Sequence, residues 1–132
     1  MMSKGQRQGF TLLELIIVII IIGILATLGF SQYTRLVERG RTAEAKSILG
    51  QIRTAQAVYE LEYGDYSSDI SNISIDAPSG CTTTHYFSYS GDATAATASR
   101  CSSGGKTPDS SAGYVITLNY STGAFGGSAG YY

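Results

Sequence analysis

The sequence predicts an α+β protein in which one long N-terminal α-helix packs against a small antiparallel β-sheet. Two observations carry this prediction. No proline occurs from Phe10 to Tyr63, and helical spacing of apolar residues continues through that stretch. After Gly64 the composition changes to Ser, Thr, Gly, Tyr and Asn, with few long aliphatic residues. A chain of 132 residues has room for one small domain beside such a helix.

Residues 1–9 have the features of a leader peptide. They are polar, include Lys4 and Arg7, and end in Gly9 directly before Phe10. An ordinary secretory signal is cut on the far side of its apolar region. Here the boundary between polar and apolar sequence is the candidate cleavage site. We therefore expect the apolar segment to remain in the mature chain.

The segment at residues 10–34 predicts a membrane span. Its single charged residue is Glu14, and Leu15–Leu28 is almost wholly aliphatic. That length is close to the roughly 20 apolar residues that a bilayer core requires. Positive charge before the segment favours a cytoplasmic N-terminus and an exported remainder. Three arginines shortly after residue 34 reduce the difference in positive charge between the two sides of the span.

The second half of the predicted helix is amphipathic. One stripe is apolar and recurs at steps of three and four: Ala45, Ile48, Leu49, Ile52, Ala55 and Tyr59. The other face carries Arg39, Glu44, Lys46, Gln51 and Arg53. Gly64 and Asp65 supply a helix stop. The helix is therefore predicted to span residues 10–63 and to cover a head at residues 64–132 with its apolar stripe.

The head is predicted to be a small β-sheet. The segments 85–89 and 114–120 are rich in aromatic and β-branched residues, which is typical of strands. A turn at 121–123 leads to a short third strand near Ala124–Phe125. The Ser/Thr/Ala/Gly-rich segment Ser90–Gly113 is predicted to be a long surface loop. A sheet with so few strands is not stable alone, so it requires the helix packed against it.

Cys81 and Cys101 follow the hydrophobic segment, which places them on the exported side, where a disulfide persists. One bridge is expected, and two free thiols are the alternative. Closing such a loop contributes about 3 kcal/mol in the chain-entropy model. His85 cannot complete a tetrahedral metal site with cysteines at this spacing, so no metal ligands are assigned.

Charge and titratable residues favour neither nucleic-acid binding nor catalysis. The chain has 9 Lys+Arg and 10 Asp+Glu, a formal net charge of −1, so no strong field attracts nucleic acid. The segment Gly126–Gly130 matches the G-x-S-x-G pattern, but two residues after it cannot form the helix that a nucleophile elbow needs. We therefore expect no catalytic residues and no cofactor, and a protein that is not an enzyme.

Glu14 is costly in an apolar helix and requires an explanation. One interpretation is a capping box, since Thr11 to Glu14 follows the T-x-x-E pattern. Another is that Glu14 pairs with a positive amine of a second chain in a bundle of such helices. The two interpretations are compatible.

Residues 9–14, GFTLLE, with the aliphatic run after them, resemble the class III leader and N-terminal helix of type IV pilins and type II secretion pseudopilins. The resemblance is specific over residues 4–29. It implies that a prepilin peptidase cuts after Gly9 and methylates Phe10. It also implies that Glu14 neutralises the Phe10 amine of a neighbouring subunit during assembly.

By this resemblance, the chain is expected to be a structural subunit of a type IV pilus-like filament, a helical homo-oligomer. The precursor would lie in the inner membrane, and the mature subunit in a filament at the cell surface. Its partners would be the prepilin peptidase and the pilus or secretion assembly machinery. Adhesion, twitching motility, DNA uptake and protein secretion are all known roles of the family. The alternatives are a type II secretion pseudopilin and a signal-anchored extracytoplasmic binding protein.

Two departures from the family pattern stand out. Many members have a proline late in the apolar helix, whereas residues 30–32 are Phe-Ser-Gln. The sequence therefore lacks the residue that would favour local melting of the helix at that point. A pseudopilin-type calcium loop is not predicted either, because Asp65, Asp69 and Asp76 do not have the spacing of a dedicated oxygen cage.

Overall fold

The structure, a computed structural model, describes residues 9–111 and 113–132. All of the predicted leader except Gly9 lies outside these residues. The described elements are α1 (Leu12–Tyr63), a 3-10 helix (Ile70–Asn72), β1 (Phe87–Gly91), β2 (Ala95–Arg100), β3 (Val115–Asn119) and β4 (Phe125–Gly127). One helix followed by a small antiparallel sheet confirms the predicted α+β class. The chain divides into two compact units, one that ends at Val37 and one of Glu38–Tyr132.

The boundaries of α1 follow from local chemistry. Thr11 precedes the first helical residue, and its carbonyl accepts the Leu15 amide at 3.3 Å. At the other end Gly64 has φ +91°, a left-handed conformation that residues with a Cβ rarely adopt. Its amide donates to the Glu60 carbonyl at 2.8 Å, which closes the last turn. The predicted helix stop at Gly64 is confirmed.

The second unit contains an antiparallel sheet with the strand order β1-β2-β3-β4. Consecutive strands are neighbours, and β2 and β3 are the central pair. Ala98 on β2 lies opposite Tyr89 on β1 and Ile116 on β3. The short strand β4 pairs Phe125 with Leu118. Side chains on β2 alternate between half-buried and buried, so one face of the sheet lines the core.

Strand β2 corrects the prediction that Ser90–Gly113 is a surface loop. The residues of this segment are mostly small and have low β-propensity, which is typical of a loop. Tertiary context overrides that propensity, since Ala96 and Ala98 are 0% exposed and packed between two strands. The strand predicted at residues 85–89 lies two residues later in the structure, where β1 spans Phe87–Gly91.

The core of the second unit joins α1 to the sheet. Ala45, Leu49 and Ile52 are 0% exposed and belong to the same buried cluster as the inward side chains of β1, β2 and β3. Ile48, Ala55 and Tyr59 pack against this cluster while partly buried. The predicted apolar stripe is therefore confirmed. Burial of this surface from water is the main favourable term for the small unit.

Polar residues of α1 also fasten the segments that follow it. Gln56 is fully buried, donates to the Ser67 carbonyl at 3.0 Å and accepts the Ser67 amide at 2.8 Å. Glu44 accepts the Tyr86 amide at 2.9 Å. Arg39 donates to the Gly130 carbonyl at 3.2 Å. The face that the sequence marks as polar is therefore partly engaged with the rest of this unit.

Candidate assembly site

The start of α1 holds the three residues that the sequence singles out. Among the described residues, no atom beyond its chain neighbours lies within 4 Å of where a Gly9 side chain would begin. Phe10 is 85% exposed. Glu14 lies in the first turn of the helix and is exposed as well. A predicted cleavage site at Gly9 and Phe10 thus directly precedes the helix that carries Glu14.

Thr11 and Glu14 form a capping box. The Thr11 amide donates to Glu14 Oε2 at 2.9 Å, and the Glu14 amide donates to Thr11 Oγ1 at 3.2 Å. Each side chain therefore satisfies a backbone amide that the first helical turn leaves without a partner. The carboxylate also lies at the positive end of the helix dipole. The capping interpretation is confirmed, and pairing of Glu14 with a second chain stays a prediction.

An apolar surface covers the first part of α1, on both sides of Glu14 in the sequence. Its exposed large side chains are Leu12, Leu13, Leu15, Ile16, Ile17, Val18, Ile19, Ile20, Ile21, Ile22, Ile24, Leu25 and Leu28. By length and composition α1 could cross a membrane, and none of its most apolar window is buried within the chain. A surface this apolar is unfavourable in water and requires lipid or protein around it.

The second unit contains a buried ionic cluster that sequence analysis did not identify. Arg100 Nε donates to Glu38 Oε2 at 3.0 Å, and the Tyr114 hydroxyl donates to the same oxygen at 2.9 Å. Arg41 also pairs with Glu38, from the next turn of α1. Glu38 is 8% exposed and Arg100 is 5% exposed. The cluster therefore joins the helix and β2 to the residue directly before β3, and Glu38, Arg100 and Tyr114 are all buried.

All five N–H donors of Arg100 have acceptors. Two go to the Glu38 carboxylate and three go to the carbonyls of Tyr86, Cys101 and Thr107. Cys101 is in turn bonded to Cys81 by a disulfide with a Cα–Cα distance of 5.7 Å. The bridge and the arginine therefore hold the segment after β2 from adjacent positions.

The ionic cluster changes the acidity of its members. Burial alone raises the pKa of the Glu38 carboxyl, but hydrogen bonds from Arg100 and Tyr114 outweigh burial and leave this pKa below its ordinary value of 4.5. Burial, with the hydrogen bond to Glu38, raises the pKa of the Tyr114 hydroxyl far above its ordinary value. Glu38 is therefore charged and Tyr114 neutral near pH 7.

Within the described residues, no group of three or more His, Cys, Asp and Glu side chains could hold a metal ion. Ser128, the serine of the G-x-S-x-G pattern, accepts the Val115 amide through its hydroxyl at 3.1 Å. That bond gives Ser128 a structural role beside β3.

A long N-terminal helix that begins just after Thr11, followed by a small antiparallel sheet, defines a pilin-like architecture. Residues 4–30 match the family model of the prokaryotic N-terminal methylation motif. These findings confirm the resemblance seen in the sequence: the N-terminal segment of this chain is similar to that of type IV pilins and of a type II secretion core protein.

Three curated relatives illustrate the similarity. A type IV major fimbrial protein FimA of Dichelobacter nodosus is 46% identical over 52 residues, which cover 39% of this chain and 33% of that protein. The type IV major pilin protein PilA of Myxococcus xanthus is 38% identical over 68 residues, covering 49% of this chain and 31% of PilA. The type II secretion system core protein G of Pseudomonas aeruginosa is 34% identical over 67 residues, 51% of this chain and 47% of that protein. The matches thus span 31–47% of the length of these relatives.

Proposed function

We propose that this chain is a structural subunit of an extracellular type IV pilus-like filament. The observation that carries the proposal is the exposed apolar surface of α1 with Glu14 at its start. Such a helix is stable in a bilayer as a precursor and in a bundle of like helices after assembly. The similarity to a type IV major fimbrial protein and a type IV major pilin supports the same function.

Maturation would begin with removal of residues 1–9. A prepilin peptidase would cut the peptide bond after Gly9 and methylate the new Phe10 amine, as the N-terminal methylation motif suggests. Removal of Lys4 and Arg7 leaves that amine as the positive charge at the helix start. Phe10 is 85% exposed, and no described residue beyond its chain neighbours packs against Gly9, which supports access by a peptidase. The division into leader, helix at 10–63 and head at 64–132 is part of this proposal.

Assembly would then bring the Phe10 amine of one subunit to Glu14 of its neighbour. In the apolar centre of a bundle, an unpaired charge of either sign is costly, so each group favours a register that supplies the other. The capping box does not prevent this pairing, because a carboxylate can accept several hydrogen bonds at once. We therefore assign Glu14 a role in setting the axial offset between subunits.

The filament would form at the cell surface from subunits drawn out of the inner membrane by pilus assembly machinery. Its subunits have a structural role, as the names of the pilin relatives indicate. Mass spectrometry of sheared surface filaments tests the proposal. We expect a mature chain that begins at methylated Phe10. A chain that retains Met1 and forms no filaments contradicts the proposal and favours a signal-anchored protein.

A type II secretion pseudopilin is the second candidate, and the similarity to core protein G is the observation that favours it. Both candidates share leader removal, methylation and helix packing. Deletion of the gene separates them: loss of surface pili with normal secretion supports the pilin, and loss of secretion with intact pili supports the pseudopilin.

A further inference from the structure

We propose that the heads of successive copies dock through two different faces of the second half of α1. A cleft that carries Glu62 would receive a basic and aromatic patch formed by Lys46, Arg53 and Phe125 of a second copy. This inference rests on the proposed function, because it names a head-to-head contact within that filament.

The cleft lies between the last turns of α1 and the segment after the 3-10 helix. Its volume is about 460 Å³. Residues that line it include Val58, Tyr59, Glu62, Tyr63, Asn72 and Ile73. The rings of Tyr59 and Tyr63 lie 4.4 Å apart, and Tyr63 is 69% exposed. The cleft therefore offers exposed aromatic surface with one carboxylate, and none of its lining residues is basic.

The patch on the other side of the helix has the opposite charge. Lys46 Nζ lies 5.9 Å from the centre of the Phe125 ring, and Phe125 is 39% exposed. Arg53 Nε donates to the Tyr120 carbonyl at 2.8 Å, which holds the guanidinium beside the turn before β4. Arginine and aromatic side chains are the residues that contribute most at protein interfaces. The patch is therefore suited to an acidic, aromatic partner surface.

Helix geometry separates the two surfaces. Since α1 turns about 100° per residue, Lys46 and Arg53 lie close to one line along the helix, and Glu62 lies about half a turn away from it. A contact between them is heterologous, meaning that it joins unlike surfaces of identical chains. Such a contact leaves one cleft and one patch free at the two ends of any assembly. Repetition that does not close into a ring therefore produces an open helical filament.

Charge complementarity selects a second copy as the occupant of the cleft. Among the salt bridges of the described residues, neither Lys46 nor Glu62 takes part. Opposite charges on two surfaces of one chain favour the head-to-tail pairing and disfavour cleft-to-cleft or patch-to-patch pairing. Helix packing in a filament would also raise the effective concentration of one head for the next, so a weak contact suffices.

Charge reversal in the full-length protein, in the cells that produce it, tests the docking. The variants are Glu62→Lys, Lys46→Glu and the double variant, with Asp65→Lys as a control of the same charge change outside the cleft lining. We expect each single reversal to lower the yield of sheared filaments by about tenfold or more, as loss of about 1.4 kcal/mol per contact implies. The double variant restores most of the yield, and the control keeps it. All variants should be exported and begin at methylated Phe10.

Engineered cysteines provide a second measurement. Under mild oxidation, filaments of the Glu62→Cys, Lys46→Cys double variant should give a ladder of covalent multimers. Each single variant should give none, because unlike positions meet at a heterologous contact. Dimers from a single variant, or a double charge reversal that fails to restore assembly, would overturn the docking. A further outcome would also overturn it: Lys46→Glu assembles normally, while an added unrelated basic peptide inhibits assembly. The cleft would then bind a basic partner other than a second copy.

The two proposals fail differently. A wild-type chain that retains Met1 and forms no filaments contradicts the proposed function. Processed, filamentous wild-type protein whose yield is unchanged by Glu62→Lys contradicts the docking alone.

Discussion

Arg100 and Glu38 form a two-bond ion pair between β2 and α1, with Nε–Oε2 at 3.0 Å and Nη2–Oε1 at 3.3 Å. The two residues are 62 positions apart in the chain. Because the pair is buried, its contribution to stability depends on whether every remaining donor and lone pair has a hydrogen-bond partner. The three carbonyl acceptors of Arg100 and the Tyr114 hydroxyl meet that requirement.

Replacement of Glu38 by alanine is expected to destabilise the second unit by about 3–5 kcal/mol, because it leaves the Arg100 charge buried without a counter-ion. Urea unfolding of the full chain in detergent measures the loss. The matched control is Arg41→Met, which removes the other cation paired with Glu38. Its side chain is 23% exposed, so the expected loss is about 1 kcal/mol or less. Equal losses in the two variants would contradict a dominant Glu38–Arg100 pair.

The same pair predicts a dependence of stability on acidity. The pKa of Glu38 is lowered in the folded state, so the unfolded chain binds more protons as the pH falls below 4.5. The stabilisation is fully present above that pH and is lost as pH drops towards the folded pKa. Unfolding free energies of wild type and Glu38→Gln should therefore differ most near neutral pH and approach each other as the pH falls below 4.5 towards the folded pKa. A difference that is constant between these conditions contradicts the prediction.

Reduction of the Cys81–Cys101 bridge is expected to cost about 3 kcal/mol, since the bridge closes a loop with a sequence separation of 20. Thermal melting of the full chain with and without reductant measures the effect. The double Cys→Ser variant is the control and should melt near the reduced wild type in both conditions. An unchanged midpoint on reduction would show that the Arg100 bonds alone hold the segment after β2.

Glu14→Gln separates the two roles of this side chain. Glutamine retains the capping-box acceptor but carries no charge, so the helix start is preserved while charge pairing is lost. We expect export and cleavage to be normal and the filament yield to fall strongly. Electron microscopy and quantification of sheared filaments measure the result.

Thr11→Ala is the converse control. It removes the Thr11 hydroxyl that caps the helix, at a cost of about 1 kcal/mol, and leaves the Glu14 charge in place. Filaments should form in this variant. If Glu14→Gln assembles normally, or if only Thr11→Ala fails to form filaments, then Glu14 matters as a helix cap and not as a charge partner.

Local signals in the sequence account for much of the fold. The T-x-x-E pattern marks the start of α1, Gly64 marks its end, and no proline interrupts the sequence between them. Helix boundaries depend on residues within one turn of them, so the sequence alone locates them. The strands β1 and β3 contain the aromatic and β-branched residues that indicate strands. Strand β2 was missed because Ala96 and Ala98 indicate a strand only when neighbouring strands surround them.

The ionic cluster was missed for a related reason. Glu38 and Tyr114 are 76 positions apart, and no local pattern relates them. One signal was present: in β2 the alternation that buries Ala96 and Ala98 also buries Arg100. A buried arginine requires a carboxylate partner, and only the tertiary structure identifies Glu38.

The full occupancy of the Arg100 donors constrains the order in which natural substitutions can accumulate at this pair. A guanidinium does not deprotonate in proteins, so if Glu38 is lost first, a permanent cation remains buried without a counter-ion. A carboxylate can take up a proton, so loss of Arg100 first leaves a group that can become neutral. Drift away from this ion pair is therefore expected to begin at position 100.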